Sequence, residues 1–159
     1  MKNYIKILGI ALVFGLFSNN LLAQTTKYKC MLQMANYVGE GAYIVVSLVD
    51  AKGNYEKTLY VMGNDKKWYK ELKEWHKFYA KRKKVDAKTG ASVAGGDRSV
   101  TVLEIEDKKI NAGYKIRFES AVEDQKYHVI DAEVPLTTEA LADKTEGKGY
   151  IRYVKLIKM

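Results

Sequence analysis

Apolar and polar residues alternate with a period of two through most of this chain, as half-buried β-strands require. Tyr28, Cys30, Leu32 and Met34 occupy every second position of a predicted strand from Tyr28 to Tyr37. An unbroken apolar run from Tyr43 to Val49 follows, then the turn-forming stretch Asp50-Ala51-Lys52-Gly53-Asn54, then a third run from Tyr55 to Met62. Two β-prone runs flanking such a turn predict a hairpin. Further strands are predicted at Ser99 to Ile105, Tyr114 to Phe118, Tyr127 to Val134 and Tyr150 to Ile157. Asp107-Lys108-Lys109 and Asn111-Ala112-Gly113 supply turns.

One segment departs from this period. From Lys66 to Lys84, a rotation of about 100° per residue places Trp68, Leu72, Trp75 and Tyr79 on one face. Lys66, Lys70, Lys73, Lys77, Lys81 and Lys84 fall on the other. The pattern predicts an amphipathic helix, with Asn64 or Asp65 as its cap and the run Lys81-Arg82-Lys83-Lys84 favouring its C-terminal end. Aromatic residues at this spacing usually belong to a core. About seven strands with one inserted helix predict an all-β fold, an immunoglobulin-like β-sandwich, with a small barrel as the alternative.

The N-terminus changes the picture of where the domain works. Lys2 and Lys6 precede an apolar run from Ile7 to Phe17, followed by Ser18-Asn19-Asn20-Leu21-Leu22-Ala23. These features predict a secretory signal peptide over residues 1–23, cleaved after Ala23. The apolar run is shorter than the roughly 20 residues a membrane helix needs, so the exported chain is not expected to span a membrane. Cys30 follows Lys27-Tyr28-Lys29, where a lipoprotein signal would place apolar and small residues. Residues 24–159 are therefore expected to form a single domain, periplasmic or extracellular.

Loss of Lys2 and Lys6 leaves 25 basic residues against 19 acidic ones, a net charge of +6. Export argues against nucleic acid as the partner and leaves anionic ones: a phosphate-bearing cofactor, an acidic protein or a membrane surface. The single cysteine excludes an intrachain disulfide, and its place in the alternation makes it an inward-facing strand residue. His76 and His128 have no cysteine or acidic neighbour at metal-ligand spacing, and each reads as a surface or interstrand residue. Glu119 and Glu123 are candidate acid–base groups, explained as well by edge or turn carboxylates. Without a nucleophile elbow or an ordered triad, no independent catalytic activity is expected.

The candidate chemistry lies in Asp86-Ala87-Lys88-Thr89-Gly90-Ala91-Ser92. This heptapeptide resembles the target motif of the bacterial FMN transferase, an aspartate, two variable positions, a hydroxyl residue, Gly-Ala and a final hydroxyl acceptor. The resemblance implies FMN esterified to Ser92, with Asp86, Thr89, Gly90 and Ala91 as the recognition residues. Gly90 and Ala91 keep side-chain bulk away from a hydroxyl that must enter another enzyme's active site. Lys84 and Lys88 flank the motif and could offset the phosphodiester charge, although a solvated basic face explains them equally. Stacking of Trp68, Trp75 or Tyr79 on a flavin ring is the lesser expectation beside their role in the core.

A wider set of segments carries a second resemblance. Ala42 to Asp50, Lys57-Thr58-Leu59-Tyr60, Lys67-Trp68-Tyr69 with Leu72 and Trp75, Val85 to Ser92 and Ala112 to Glu119 occur here in order. Together they resemble the exported bacterial proteins grouped as domain of unknown function 2271. Leu103-Glu104-Ile105-Glu106-Asp107 stands where that family usually carries a tryptophan and a glycine-rich turn, and Ser92 where threonine is commoner. The resemblance implies a sandwich fold and, beside FMN transferase and PepSY-type membrane redox proteins as partners, electron transfer outside the membrane that serves iron acquisition. The rival expectation is a cofactor-free immunoglobulin-like binding or assembly module.

Overall fold

A computed structural model describes residues 24–82 and 87–159. The predicted leader, residues 1–23, lies outside the described residues. The strands are β1 (Thr25–Met34), β2 (Tyr43–Val49), β3 (Tyr55–Met62), β4 (Lys88–Gly90), β5 (Arg98–Glu106), β6 (Lys115–Ala121), β7 (His128–Pro135), β8 (Lys144–Glu146) and β9 (Ile151–Lys158). They form a four-stranded sheet ordered β5-β1-β9-β8 and a five-stranded sheet ordered β4-β3-β2-β6-β7. The expected all-β sandwich is the fold.

Its main core follows from the two-residue period. Cys30, Leu32 and Met34 of β1 meet Ile44, Val46 and Phe118 of the facing sheet, all at 1% exposure or less. At roughly 25 cal/mol per Å² of apolar area removed from water, this layer supplies most of the drive to fold. Asp50 shapes the predicted β2–β3 hairpin: its carboxylate accepts the amides of Lys52 and Asn54 at 2.8 and 2.9 Å, and Gly53 takes φ +84°.

The unbroken apolar run of β2 has a second cause. Its other face, with Val45, packs against Val61, Ala121, Tyr69, Leu72 and Trp75, so both faces of the strand are buried. The covering segment divides the expected helix in two: a 3-10 helix over Lys66–Glu71 and an α-helix, α1, over Lys73–Arg82. Asp65 caps the first, accepting the Lys67 amide at 3.1 Å. Leu72, at φ −84° and ψ 65°, separates them. A 3-10 turn repeats every three residues, which turns Tyr69, Leu72 and Trp75 inward together. Trp68, expected on the buried face, is displaced to half-exposure with the Lys67 ammonium 5.2 Å from its ring.

Three elements had no sequence expectation: the three-residue strands β4 and β8, and the five-residue helix α2 (Thr138–Ala142). Each is too short to show a period. Thr137 caps α2, its hydroxyl accepting the Ala140 amide at 3.1 Å. β1 ends at Met34, short of the expected Tyr37, because the Met34 and Ala35 amides turn to Asp97 O and Tyr150 O. One buried carboxylate locks the two sheets together. Asp131 of β7 accepts the Ser120 hydroxyl and four successive amides, Lys148 to Ile151, at 2.7–3.0 Å.

Candidate attachment site

The motif is partly strand, where a plain exposed turn was expected. β4 is an edge strand parallel to β3, with Tyr60 opposite Lys88, Val61 opposite Thr89 and Met62 opposite Gly90. Beyond it the chain is fastened again, since the Gly63 amide donates to Gly90 O at 2.7 Å, and Val93 and Ala42 exchange amide–carbonyl bonds at 2.8 and 3.1 Å. Ala91 and Ser92 span the interval between these anchors, and both are exposed. Asp86, the first motif residue, and Lys84 lie outside the described residues. So does the connection from α1 to the motif.

Two glycines let the backbone come close enough. A Cβ on Gly41 would sit 2.6 Å from Ser92 Oγ, and one on Gly90 would sit 2.5 Å from the Tyr60 hydroxyl. The Ser92 hydroxyl thus rests over a bare Cα, a backbone surface that only glycine offers. Tyr37 adds a brace from below, its hydroxyl donating to Val93 O at 2.8 Å, while the turn after Val93 wraps Tyr37 so tightly that a Cβ on Gly95 would meet Tyr37 O at 2.3 Å. Burial pushes the Tyr37 hydroxyl above the usual phenol range, with the Ala42 amide opposing that shift, so it stays a donor at neutral pH.

Beside Ser92 lies a recess of about 230 Å³ bordered by Tyr60, Met62, Asp97, Arg98 and Ser99. Arg98 extends from the start of β5, and its Nε donates to Gln33 Oε1 at 3.1 Å. Lys88, expected to flank the site, is exposed on the edge strand. The aromatic residues of the helical segment lie elsewhere. Trp75 is fully buried on the outer face of the five-stranded sheet, stacked on Tyr79 at 5.1 Å and 13°, with its Nε1 donating to Thr58 Oγ1 at 2.9 Å. Trp75 and Tyr79 belong to this second core cluster, as their spacing favoured, whereas half-exposed Trp68 does not.

The same covered face hides an acidic centre. Glu119 was expected at an edge or turn, yet it is fully buried beneath α1. Tyr55 donates to its Oε1 at 2.5 Å, Tyr127 donates to Oε2, and the Trp75 amide approaches Oε2 at 3.4 Å. Burial raises the Glu119 carboxyl above the ordinary carboxylate range, outweighing these three donors, which favour the charged form. Glu123, its companion in the sequence reading, is an exposed turn residue. Nothing in the local sequence distinguishes Glu119 from a solvent-facing strand residue, because α1 arrives from more than 30 residues away.

Cys30 is fully buried and desolvation pushes its thiol up to about 12, which removes it as a nucleophile. His76 lies 5.8 Å from the Tyr79 ring, and His128 meets Tyr150 edge-on at 5.1 Å. Among the described residues no group of three or more His, Cys, Asp or Glu side chains could hold a metal ion. None of the described helices is long and apolar enough to cross a membrane.

Fold and site together define an all-β sandwich protein with one helix on its outer face and a serine presented between two backbone anchors. The chain belongs to the family described as predicted periplasmic protein, domain of unknown function 2271, whose pattern matches residues 25–153. The match spans β1 to β8 and the first three residues of β9, and agrees with the export signal read at the N-terminus. No curated protein and no solved structure matches the chain.

Proposed function

We propose that this protein is a periplasmic redox carrier in which FMN is joined through a phosphoester to Ser92 Oγ. The observation that supports the reading is the setting of Ser92, an exposed hydroxyl at the end of a matching motif, held between the Gly63–Gly90 and Ala42–Val93 anchors. An unpinned loop would serve an acceptor hydroxyl less well, because its entropy must be removed before a second enzyme can position it.

The residues present suit the attached group. The recess of about 230 Å³ is smaller than the roughly 300–1,000 Å³ of pockets that engulf a cofactor, so it suits the phosphate end, with the flavin ring outside it. Arg98 stands at the border of the recess as the cation for a phosphodiester, and Asp97 and Ser99 complete a polar wall. When bound, the isoalloxazine supplies the electron exchange. The chain's contribution is to tether, to orient and to leave the group open to a membrane redox partner. Service in iron acquisition, with an FMN transferase acting on the exported chain, completes the proposal.

Coexpression with an FMN transferase and intact-mass measurement tests it. The expected result is an added mass equal to FMN less water, lost in Ser92→Ala and retained in Ser92→Thr. No added mass, or its persistence in Ser92→Ala, overturns the assignment.

A second reading, a cofactor-free binding module, is favoured by one observation. A cavity of about 580 Å³ lies at the end of the sandwich away from Ser92, lined by Tyr28, Ile110, Leu141, Leu156, Asp107 and Thr138. Its size falls within the range of small-molecule sites. Protein purified without bound flavin from a host that encodes the transferase would turn the balance toward this reading.

A further inference from the structure

The two sheets differ in what covers their outer faces. α1 lies on the five-stranded sheet, whereas the outer face of the four-stranded sheet carries no element among the described residues. Pairing registers define that open face row by row. Val102, Lys29 and Ile157 stand side by side, then Val100, Met31, Lys155 and Lys144, then Arg98, Gln33, Tyr153 and Glu146. At strand spacings of about 4.8 Å, the face is a platform roughly 15 Å across.

Its chemistry is unusual for a solvent-facing sheet. Val100 is 57% exposed and Ile157 39%, and half-buried Met31 and Val102 join them into an apolar strip. Lysines surround the strip. Lys27 approaches Glu104 at 3.9 Å and Lys144 pairs with Glu146 at 2.8 Å, but among the described residues Lys29 and Lys155 have no carboxylate partner. They lie on neighbouring strands one same-face pair apart, and with Lys27, Lys144 and Arg98 they outnumber the two carboxylates of the face, Glu104 and Glu146.

We propose that this face seats the protein on an anionic phospholipid surface. Charge complementarity calls for a negative counterpart, and the residue types select lipid over an acidic protein. Protein interfaces are depleted in lysine, and valine is rare among their energetic anchors, whereas aliphatic residues ringed by lysines suit the boundary between headgroups and acyl chains. Lysine stems lie along the apolar strip while their ammonium groups reach the phosphates. The inference stands apart from the flavin reading, since neither the apolar strip nor Lys29 and Lys155 take part in the Ser92 attachment. Arg98 belongs both to the platform and to the recess, so docking would bring Ser92 to the rim of the contact.

Sedimentation of the exported chain with vesicles tests the proposal. The expected result is binding to phosphatidylethanolamine vesicles with about a quarter phosphatidylglycerol, weak binding to pure phosphatidylcholine, and release as salt shortens the Debye length toward about 3 Å. Lys29→Gln and Lys155→Gln should each weaken binding about fivefold, and together on the order of 25-fold. Val100→Asp should weaken it at all salt concentrations. Lys70→Gln with Lys77→Gln, on the covered sheet's side, should leave binding unchanged. All these positions are exposed, and an unchanged melting temperature verifies folding. Equal binding to neutral and anionic vesicles, equal loss from the Lys70/Lys77 pair, or retention on polyglutamate beads without vesicle binding would overturn it, the last in favour of an acidic protein.

Discussion

Tyr127→Phe isolates the energetics of the buried acid beneath α1. The substitution removes one hydroxyl and almost no volume. That hydroxyl donates to Glu119 and accepts the Glu74 amide at 3.0 Å. Glu74 is exposed, so water replaces its lost acceptor at little cost. Glu119 is fully buried and no water replaces its donor. A hydrogen bond to a charged group is worth about 1.5–3 kcal/mol, so the expected loss where Glu119 is ionised is about 2 kcal/mol. For a domain of this size that lowers the melting temperature by roughly 7 °C.

The loss should depend on pH. The folded-state pKa of Glu119 lies above its ordinary value of 4.5, so the protonated acid is the better-accommodated form. Its contribution to stability is full below 4.5 and declines as pH rises through the raised value. Removing the Tyr127 donor raises that value further and deepens the decline. Urea unfolding followed by tryptophan fluorescence should therefore show the Tyr127→Phe penalty near 2 kcal/mol at about pH 8 and clearly smaller at about pH 4. A penalty below about 0.5 kcal/mol at pH 8, or the same penalty at both pH values, refutes the reasoning.

Other substitutions probe separate parts of the fold. Asp131→Ala leaves three buried or half-buried amides, those of Gly149, Tyr150 and Ile151, without their acceptor, and a loss of about 3–5 kcal/mol in chemical denaturation is expected, against about 1 kcal/mol for an ordinary substitution. The Cys30 thiol, pushed up to about 12 by burial, should remain unlabelled by an aromatic disulfide reagent at about pH 8 and react in full after denaturation. Fast labelling of the folded chain would contradict its place in the core. Gly41→Val puts side-chain carbon against Ser92 Oγ and should lower flavin incorporation on coexpression more than it lowers the melting temperature.

The long strands were legible because burial there follows the two-residue period. Tyr28 to Met34 is the plainest case, with each even-numbered residue at 7% exposure or less. β2 is instructive in another way: its unbroken apolar run announced burial on both faces, but only the helix packed on Val45 explains it. The helical segment was found by its aromatic spacing and misjudged in rotation, because a 3-10 turn exchanged Trp68 for Tyr69 at the buried position. Of the site, Ser92 and its small neighbours were readable from the motif. Tyr37, Gly41 and Arg98 were not, since the sandwich brings them to Ser92 from 30 or more residues upstream or from the next strand. Gly41, placed just before a long strand, was the one local hint.

β4 is held more lightly than any other strand of the five-stranded sheet. It is three residues long, pairs on one side only, and lies parallel to β3, with the 3-10 helix and α1 between the two in sequence. Breaking its few bonds, the Ala42–Val93 bridge and the Tyr37 bond to Val93 O withdraws Val93 alone from the main hydrophobic cluster and leaves the second cluster intact. The segment from Lys88 to Val93 can therefore open at a fraction of the cost of global unfolding, and its amides should exchange with solvent well before those of β2.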